Sequence, residues 1–279
     1  FSVLDMFTIG VGPSSSHTVG PMCAAQAFAS SLEESGDVSR VGRIRVVLYG
    51  SLSLTGLGHG TDRAILAGLE GNVPATVDTD YLLSVRERCA HDGTIHVNGT
   101  NAIAYDDDGD MVFDRWKRLA PHPNGMRFQA FDAQGNIIDE QVWYSIGGGF
   151  IRRGRIDDAL ISNHEQTPAS SQSPEDSGND EAAEYGDGVP YPFVSCDGLI
   201  DLCRKHHLSI ADVVWANETA RRSPQEVRDR LTRIWNVMSH CIDAGCASAT
   251  PTLPGGLDVP RRAPLMYRRL AANSDVLRR

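Results

Sequence analysis

Two Gly-Pro steps, Gly12-Pro13 and Gly20-Pro21, bracket the run Ser14-Ser15-Ser16-His17-Thr18-Val19. The residues after this run are periodic. Val19, Met22, Ala25, Phe28, Ala29 and Leu32 recur mostly three or four residues apart, the spacing of an amphipathic helix. Ser and Thr in front of such a run are N-cap residues, because their side-chain oxygens accept from the unpaired amides of the first turn. One cap is enough to start a helix. Five polar side chains hinged by glycines form a candidate cradle for a small anion, since a helix N-terminus carries free N–H groups and a partial positive charge. An ordinary capped helix behind a Ser-rich turn is the competing reading.

A second loop of the same kind lies at Gly56-Leu57-Gly58-His59-Gly60-Thr61-Asp62. It follows a strand at 43–50 and opens a helix from Arg63 to Leu69, closed by Gly71, with Thr61 as the expected cap. A histidine between two glycines on a loop suits the approach of a ligand better than the filling of a core. Further along, 81–91 reads as a helix and 94–97 as a short strand. The acidic stretch 105–110 reads as a solvated turn, because it lacks the ligand spacing of a calcium-binding loop. His91 and His96 are expected at the surface. Met126, Phe128 and Ala130 alternate as a half-buried strand, paired across a turn at 132–135 with a strand at 137–146. Gly147-Gly148-Gly149 come directly after it.

The seven acids and no Lys or Arg of residues 165–189 account for most of the net charge of −10. That stretch has too few apolar side chains to offset the entropy of ordering, and is expected to be a disordered linker. Beyond Pro190 the pattern becomes helical, over 195–207, 210–221 and 224–244, with Ser195, Ser209 and Ser223 as caps and a last short helix at 265–272. Three or four helices make a thin core for about ninety residues, so this segment reads as an incomplete domain. Cys203 with His207, or His240 with Cys241 and Cys246, have a spacing that a metal tolerates, but packing in a core is the favoured reading.

The chain has 279 residues and a 41% apolar fraction, enough for a packed core. It has no run of 18 apolar residues and no basic, apolar leader. The first residue is Phe, so a trimmed start is expected. Six scattered cysteines outside an extracellular context read as reduced thiols in a cytoplasmic protein. No basic stripe interleaves with aromatics, so nucleic acid is not an expected partner, nor is a membrane.

Leu4-Asp5-Met6-Phe7, Gly10 to Met22, Tyr49-Gly50-Ser51-Leu52-Ser53-Leu54-Thr55-Gly56, Gly58 to Asp62, Asn124 to Arg127, Tyr144 to Phe150 and Pro190-Tyr191-Pro192-Phe193 together carry a resemblance. It is to the single-chain bacterial iron–sulfur L-serine dehydratases, or L-serine ammonia-lyases, and it runs from residue 1 to about residue 270. The resemblance implies an α+β N-terminal domain, a mixed or antiparallel sheet with helices, over 1–164. After it come the linker at 165–189 and an incomplete all-α segment over 190–279, the start of a catalytic domain.

It implies dehydration of L-serine to pyruvate and ammonia with a [4Fe–4S] cluster acting as Lewis acid in the full-length enzyme. The cluster cysteines of that family lie in Gly-Cys-Gln-Gly, Thr-Cys-Asp-Pro and Pro-Cys contexts. None of these occurs here, so no metal ligand is expected in this chain and the segment alone is expected to be inactive. A homodimer is implied. His59 and Thr61 match residues close to proton transfer. Ser14, Ser15, Ser16, His17 and Thr18 match a substrate-carboxylate loop, and His122 and Asn124 a substrate-handling loop. His59 and His122 both stand as candidate bases, and His17 is expected to be neutral at the positive end of the helix. The alternative is a serine-binding regulatory module without chemistry. A serine hydrolase is disfavoured by the lack of a Gly-x-Ser-x-Gly elbow.

Overall fold

The computed structural model describes residues 2–163, 188–253 and 258–272. Apart from Gly188 and Val189, the expected linker lies outside the described residues. The chain divides into two compact units, one of Ile9–Gln166 with Thr250–Arg261, the other of Phe1–Thr8, Thr167–Ala249 and Arg262–Arg279.

The first unit is built on β1 (Arg43–Tyr49), whose last four residues are all buried. A strand covered on both faces must be apolar on both, which Val46-Val47-Leu48-Tyr49 satisfies. β1 receives partners on both edges. On one it runs parallel to β3 (Asn101–Ala104) at Arg43 and then to β4 (Met111–Asp114) from Val46 to Tyr49. On the other it is antiparallel to β6 (Gly125–Phe131), which pairs with β7 (Ile137–Gly147), and that with β8 (Phe150–Arg153). β2 (Thr94–Val97) completes a seven-stranded mixed sheet on the far side of β3. A small second sheet pairs β5 (Lys117–Leu119) with β9 (Leu160–Ser162). The expected α+β class and the 126–146 hairpin are therefore present.

The helix predicted from 19 to 32 is α1 (Gly20–Glu34), and each residue of its apolar series is buried. It packs on the sheet beside α3 (Thr61–Leu69), with α4 (Thr79–Asp92) outside α3. The core joins Phe28, Leu32, Leu48, Leu66, Val85, Met126 and Phe128.

Three local expectations need correction. Ser51 to Thr55, to which the sequence pattern assigns no element, lies in a short helix, α2 (Gly50–Thr55). Thr61 does not cap α3. Gly60, in the left-handed region at φ 64°, stands at the N-cap, and Thr61 is the first helical residue. The acidic stretch is not a solvated turn either. It holds a one-turn helix, α5 (Asp107–Asp110), with Asp110 only 1% exposed. Arg43 Nε donates to Asp110 at 2.5 Å, and the Asp106 amide donates to its other oxygen at 2.9 Å, so the burial is compensated. Asp107 likewise accepts from Arg86 and from the Tyr105 hydroxyl. His91 and His96 are exposed as expected.

The second unit contains α6 (Cys196–His206), α7 (Ile210–Thr219), α8 (Pro224–Ala247) and α9 (Ala263–Ala272). Ser195, Ser209 and Ser223 each accept the expected amide hydrogen bond, and Ser209 forms a full capping box with Asp212. Leu4, Val213 and Val227 are its buried apolar residues among those described, two of them on the helical segment, which is the thin core expected there. The carboxylate of Glu218, 7% exposed, accepts from Ser2 Oγ and the Val3 amide at 2.8 Å each and from Arg222. It fastens the start of the chain to α7.

Phe28 is fully buried and stacks on Phe128 with ring centroids 5.2 Å apart. Phe28→Ala should therefore lower the unfolding free energy by about 3–5 kcal/mol in denaturant titration. His91→Ala, at an exposed position, should change it by less than about 0.5 kcal/mol.

Candidate functional site

The first helix does not begin with an ordinary turn. Ser15–Val19 form a π-helical turn that runs directly into α1. The wider turn leaves the backbone less tightly wound and is a frequent companion of functional sites. Ser14 caps it, accepting from the His17 amide at 3.2 Å, while the Ser14 amide donates to Thr18 Oγ1 at 3.3 Å.

The loop at 56–61 is laced to this turn in both directions. Thr18 Oγ1 donates to the His59 carbonyl at 2.9 Å, and Thr61 Oγ1 donates to the His17 carbonyl at 2.5 Å. The two imidazoles lie together with centroids 4.9 Å apart and planes at 43°. Thus Ser14, Ser15, Ser16, His17, Thr18, His59 and Thr61 do come together, although more than forty residues separate the bonded partners of the two loops.

His122 and Asn124 form a second group at the same end of the sheet. The Asn124 amide donates to His122 Nδ1 at 3.1 Å, and Asn124 Nδ2 donates to the Ser145 carbonyl at 3.1 Å. Ser145 in turn abuts the start of α1. A Cβ on Gly20 would stand 2.1 Å from Ser145 Oγ, so only glycine permits this approach. Between the groups sits Ser51, whose amide donates to the Pro123 carbonyl at 2.9 Å and whose hydroxyl meets His17 Nε2 at 3.0 Å.

Hydrogen bonding distinguishes the three histidines. His59 Nδ1 faces the Thr55 carbonyl at 2.9 Å. A carbonyl only accepts, so the neutral ring carries its proton on Nδ1 and keeps a lone pair on Nε2. No described residue bonds that nitrogen. His122 is the reverse, because Nδ1 accepts from the Asn124 amide and the neutral ring presents Nε2–H. His17 has both nitrogens engaged, Nδ1 with Ser16 Oγ at 2.9 Å and Nε2 with Ser51.

Burial holds the His17 pKa below the ordinary histidine value, with the charge of His59 adding to the effect and hydrogen bonding to the Ser51 backbone opposing it. The shift is in the direction expected for a neutral His17, and burial is its first cause. Burial, helped by the Arg152 charge, also lowers the pKa of His122.

Sequence reasoning missed Ser51, Ser145 and the Thr55 carbonyl as members of the site. Their contacts are long-range or run through the backbone, and no spacing in the chain announces them. Ser53 and Ser145 carry buried hydroxyls without a hydrogen-bond partner.

A [4Fe–4S] cluster needs several thiolates converging on one point. Cys23 lies on α1 and Cys89 is buried against the sheet, while Cys196 and Cys203 lie on α6 and Cys241 and Cys246 on α8. Among the described residues no three of His, Cys, Asp or Glu are grouped to hold a metal. These residues do not fit such a cluster. The His207 backbone, left-handed at φ 54°, ends α6 by donating to the Cys203 carbonyl.

What the arrangement offers is a polar wall that combines a helix start rich in hydroxyls, a histidine with an open lone pair and a histidine that presents a hydrogen. Such a wall suits a small molecule bearing a carboxylate and an acidic C–H. The chain belongs to the serine dehydratase beta chain family, whose model matches residues 2–155. It is 41% identical over 274 residues to the L-serine dehydratase of Streptomyces coelicolor, covering 98% of this chain and 56% of that protein. It is 39% identical over 280 residues to L-serine dehydratase 1 of Escherichia coli (99% and 55%), and 36% identical over 276 residues to the L-serine dehydratase of Haemophilus influenzae (99% and 55%). The chain thus spans about half the length of the curated relatives it matches. No helix among the described residues is long and apolar enough to cross a membrane.

Two measurements test this geometry. Because burial depresses the pKa values of His17 and His122, the unfolded chain binds more protons than the folded one once pH falls below about 6.5. Stability is therefore lost as pH falls from there towards the lowered folded values and levels off below them. The double variant His17→Gln/His122→Gln should flatten that part of the curve of thermal midpoint against pH. Separately, Gly20→Ala should destabilise the protein by about 1–3 kcal/mol through overpacking. Ser145→Gly in the same chain removes both clashing atoms and should restore part of the loss.

Proposed function

We propose that this chain forms the substrate-facing part of an L-serine ammonia-lyase, which converts L-serine to pyruvate and ammonia. The observation that carries the reading is the open Nε2 lone pair of His59, held beside a hydroxyl-lined helix start. The three curated relatives are all L-serine dehydratases by name, which favours a catalytic setting over a purely regulatory one. Assembly as a homodimer, residence in the cytoplasm and dependence on a [4Fe–4S] cluster bound outside the described residues belong to the same proposal. So does the division into a substrate-binding domain over 1–164, a linker and the start of a helical domain.

In this reading the substrate carboxylate sits against the start of α1. Ser15 Oγ is exposed and has no partner among the described residues, and Ser14, Ser16 and Thr18 line the turn. His59 Nε2 takes the α-proton. The Cα–H electron pair forms the Cα=Cβ bond as the Cβ–O bond breaks. The departing hydroxide takes one proton from solvent and leaves as water, while His59 later releases the α-proton to solvent. The resulting 2-aminoacrylate tautomerises to an imine that water hydrolyses to pyruvate and ammonia. No described residue is assigned to activating the departing hydroxyl. His122, whose Nε2 carries the ring proton because Nδ1 accepts from the Asn124 amide, serves as a donor to substrate rather than as a second base. Thr61 and Asn124 act on backbone carbonyls, at His17 and Ser145, so they hold the two loops in register.

The test is steady-state kinetics of the full-length enzyme. His59→Ala should lower kcat by roughly 10²–10⁴ with a small effect on KM, as expected for loss of a general base. Ser15→Ala should chiefly raise KM, by about 10- to 150-fold, the effect of one hydrogen bond to a charged group. An unchanged kcat in a folded His59→Ala enzyme would reject the base assignment.

A further inference from the structure

We propose that Ser51 is a positioning residue of this site: through its hydrogen bond to His17 Nε2 it sets the direction of a hydrogen-bond chain, Ser51–His17–Ser16–Ser14, that turns a hydroxyl hydrogen towards a bound carboxylate. The inference rests on the reading of the Ser-rich turn as the carboxylate site. Its geometry is a continuous series: Ser51 Oγ to His17 Nε2 at 3.0 Å, His17 Nδ1 to Ser16 Oγ at 2.9 Å, and Ser16 Oγ to Ser14 Oγ at 3.4 Å. Every member is a hydroxyl or an imidazole, and each of these both donates and accepts. The chain therefore has two possible directions and no group that fixes one by its chemistry alone.

An anion breaks the symmetry. A carboxylate only accepts. If Ser14 and Ser16 donate inward, Ser16 spends its hydrogen on His17 Nδ1, His17 presents Nε2–H to Ser51, and the turn has little to offer an anion. If Ser51 donates to Nε2, the ring carries its proton on Nδ1 and donates to Ser16. Ser16 then donates to Ser14 Oγ, and the Ser14 hydrogen is free to point out of the turn. Reversal moves hydrogens within the existing bonds and changes no net charge.

The anchor is suited to the task. The Ser51 amide is tied to the Pro123 carbonyl, between His122 and Asn124, so its hydroxyl is held by the other half of the site. Ser51 itself touches no residue of the turn except His17 among the hydrogen bonds described. Its influence on the carboxylate runs through that ring. Chains of this kind strengthen each link, because each donor is polarised by the bond it accepts.

The experiment uses the full chain labelled with ¹⁵N-histidine and titrated with L-serine. The imidazole nitrogen shifts read the His17 tautomer, and calorimetry reads affinity. On saturation with L-serine the His17 ring should be in the Nδ1–H form. Ser51→Ala should abolish that preference and weaken L-serine binding by roughly 2- to 12-fold, the effect of one neutral hydrogen bond. Ser51→Thr, which keeps the hydroxyl, should restore both. Ser51→Cys, a weak donor of similar size, serves if the alanine variant fails to fold. A His17 tautomer that does not change on binding, or a folded Ser51→Ala protein that binds L-serine like the parent, overturns the proposal while leaving the carboxylate site standing. If, in a uniformly ¹⁵N-labelled sample, L-serine perturbs no resonance of residues 14–18, the carboxylate site falls and this proposal with it.

Discussion

The site depends first on how closely α1 approaches α3. A Cβ on Gly68 would lie 2.4 Å from the Met22 carbonyl and 2.9 Å from Ala25 Cβ, so the two helices meet across a glycine with no room for a side chain. That approach brings the helix starts within hydrogen-bond reach. The exchange of bonds between Thr18 and His59, and between Thr61 and His17, is possible only at this separation. Each such bond is modest in free energy, about 0.5–1.5 kcal/mol, but together they remove the freedom that two glycine-rich loops would otherwise keep. Rigid loops would matter for the proposed reaction, because a proton acceptor misplaced by an ångström loses most of its value.

Charge buried behind α3 supports the same geometry. Asp62, in the first turn of α3, is 3% exposed and pairs with Arg86 of α4, which also holds Asp107. The guanidinium bridges two carboxylates and ties α3, α4 and α5 into one block. The pKa of Asp107 is held below the usual carboxylate range, chiefly by that hydrogen bond. A buried ion pair is not in itself a large source of stability, but breaking one side of it leaves an uncompensated charge. Its effect here is on position, since it fixes the helix whose first residue is Thr61.

The end of the sheet then decides which atoms face the open side. β1 ends at Tyr49, β6 begins at Gly125 and β7 ends at Gly147, so three strands deliver α2, the His122–Asn124 loop and Ser145 to one edge. The backbone groups at that edge assign the protons. The Thr55 carbonyl fixes the His59 tautomer and the Asn124 amide fixes that of His122, so two chemically identical side chains carry their protons on opposite nitrogens.

Much of this is legible in the sequence because it is local. The spacing of Val19, Met22, Ala25, Phe28 and Leu32 reports α1 directly, and the Ser caps of the helical unit reflect the unpaired amides of any first turn. The two polar loops stand out because glycine and serine clusters before a periodic run have few uses. The acidic stretch at 105–110 has no such local signal. Whether an aspartate is solvated or buried depends on a partner such as Arg43, 67 residues away from Asp110. Thr61 has the residue type of a cap without the role for a related reason, since its hydroxyl is claimed by the His17 carbonyl across the helix pair. The joining of His17 to Ser51 and of Gly20 to Ser145 likewise has no local signature. Sequence alone determined where α1 and the helices of the second unit start and which residue types line the two polar loops, though not the short α2 and α5. Tertiary packing decided which nitrogens are free, because a hydrogen bond depends on distance and direction between atoms that chain order leaves far apart.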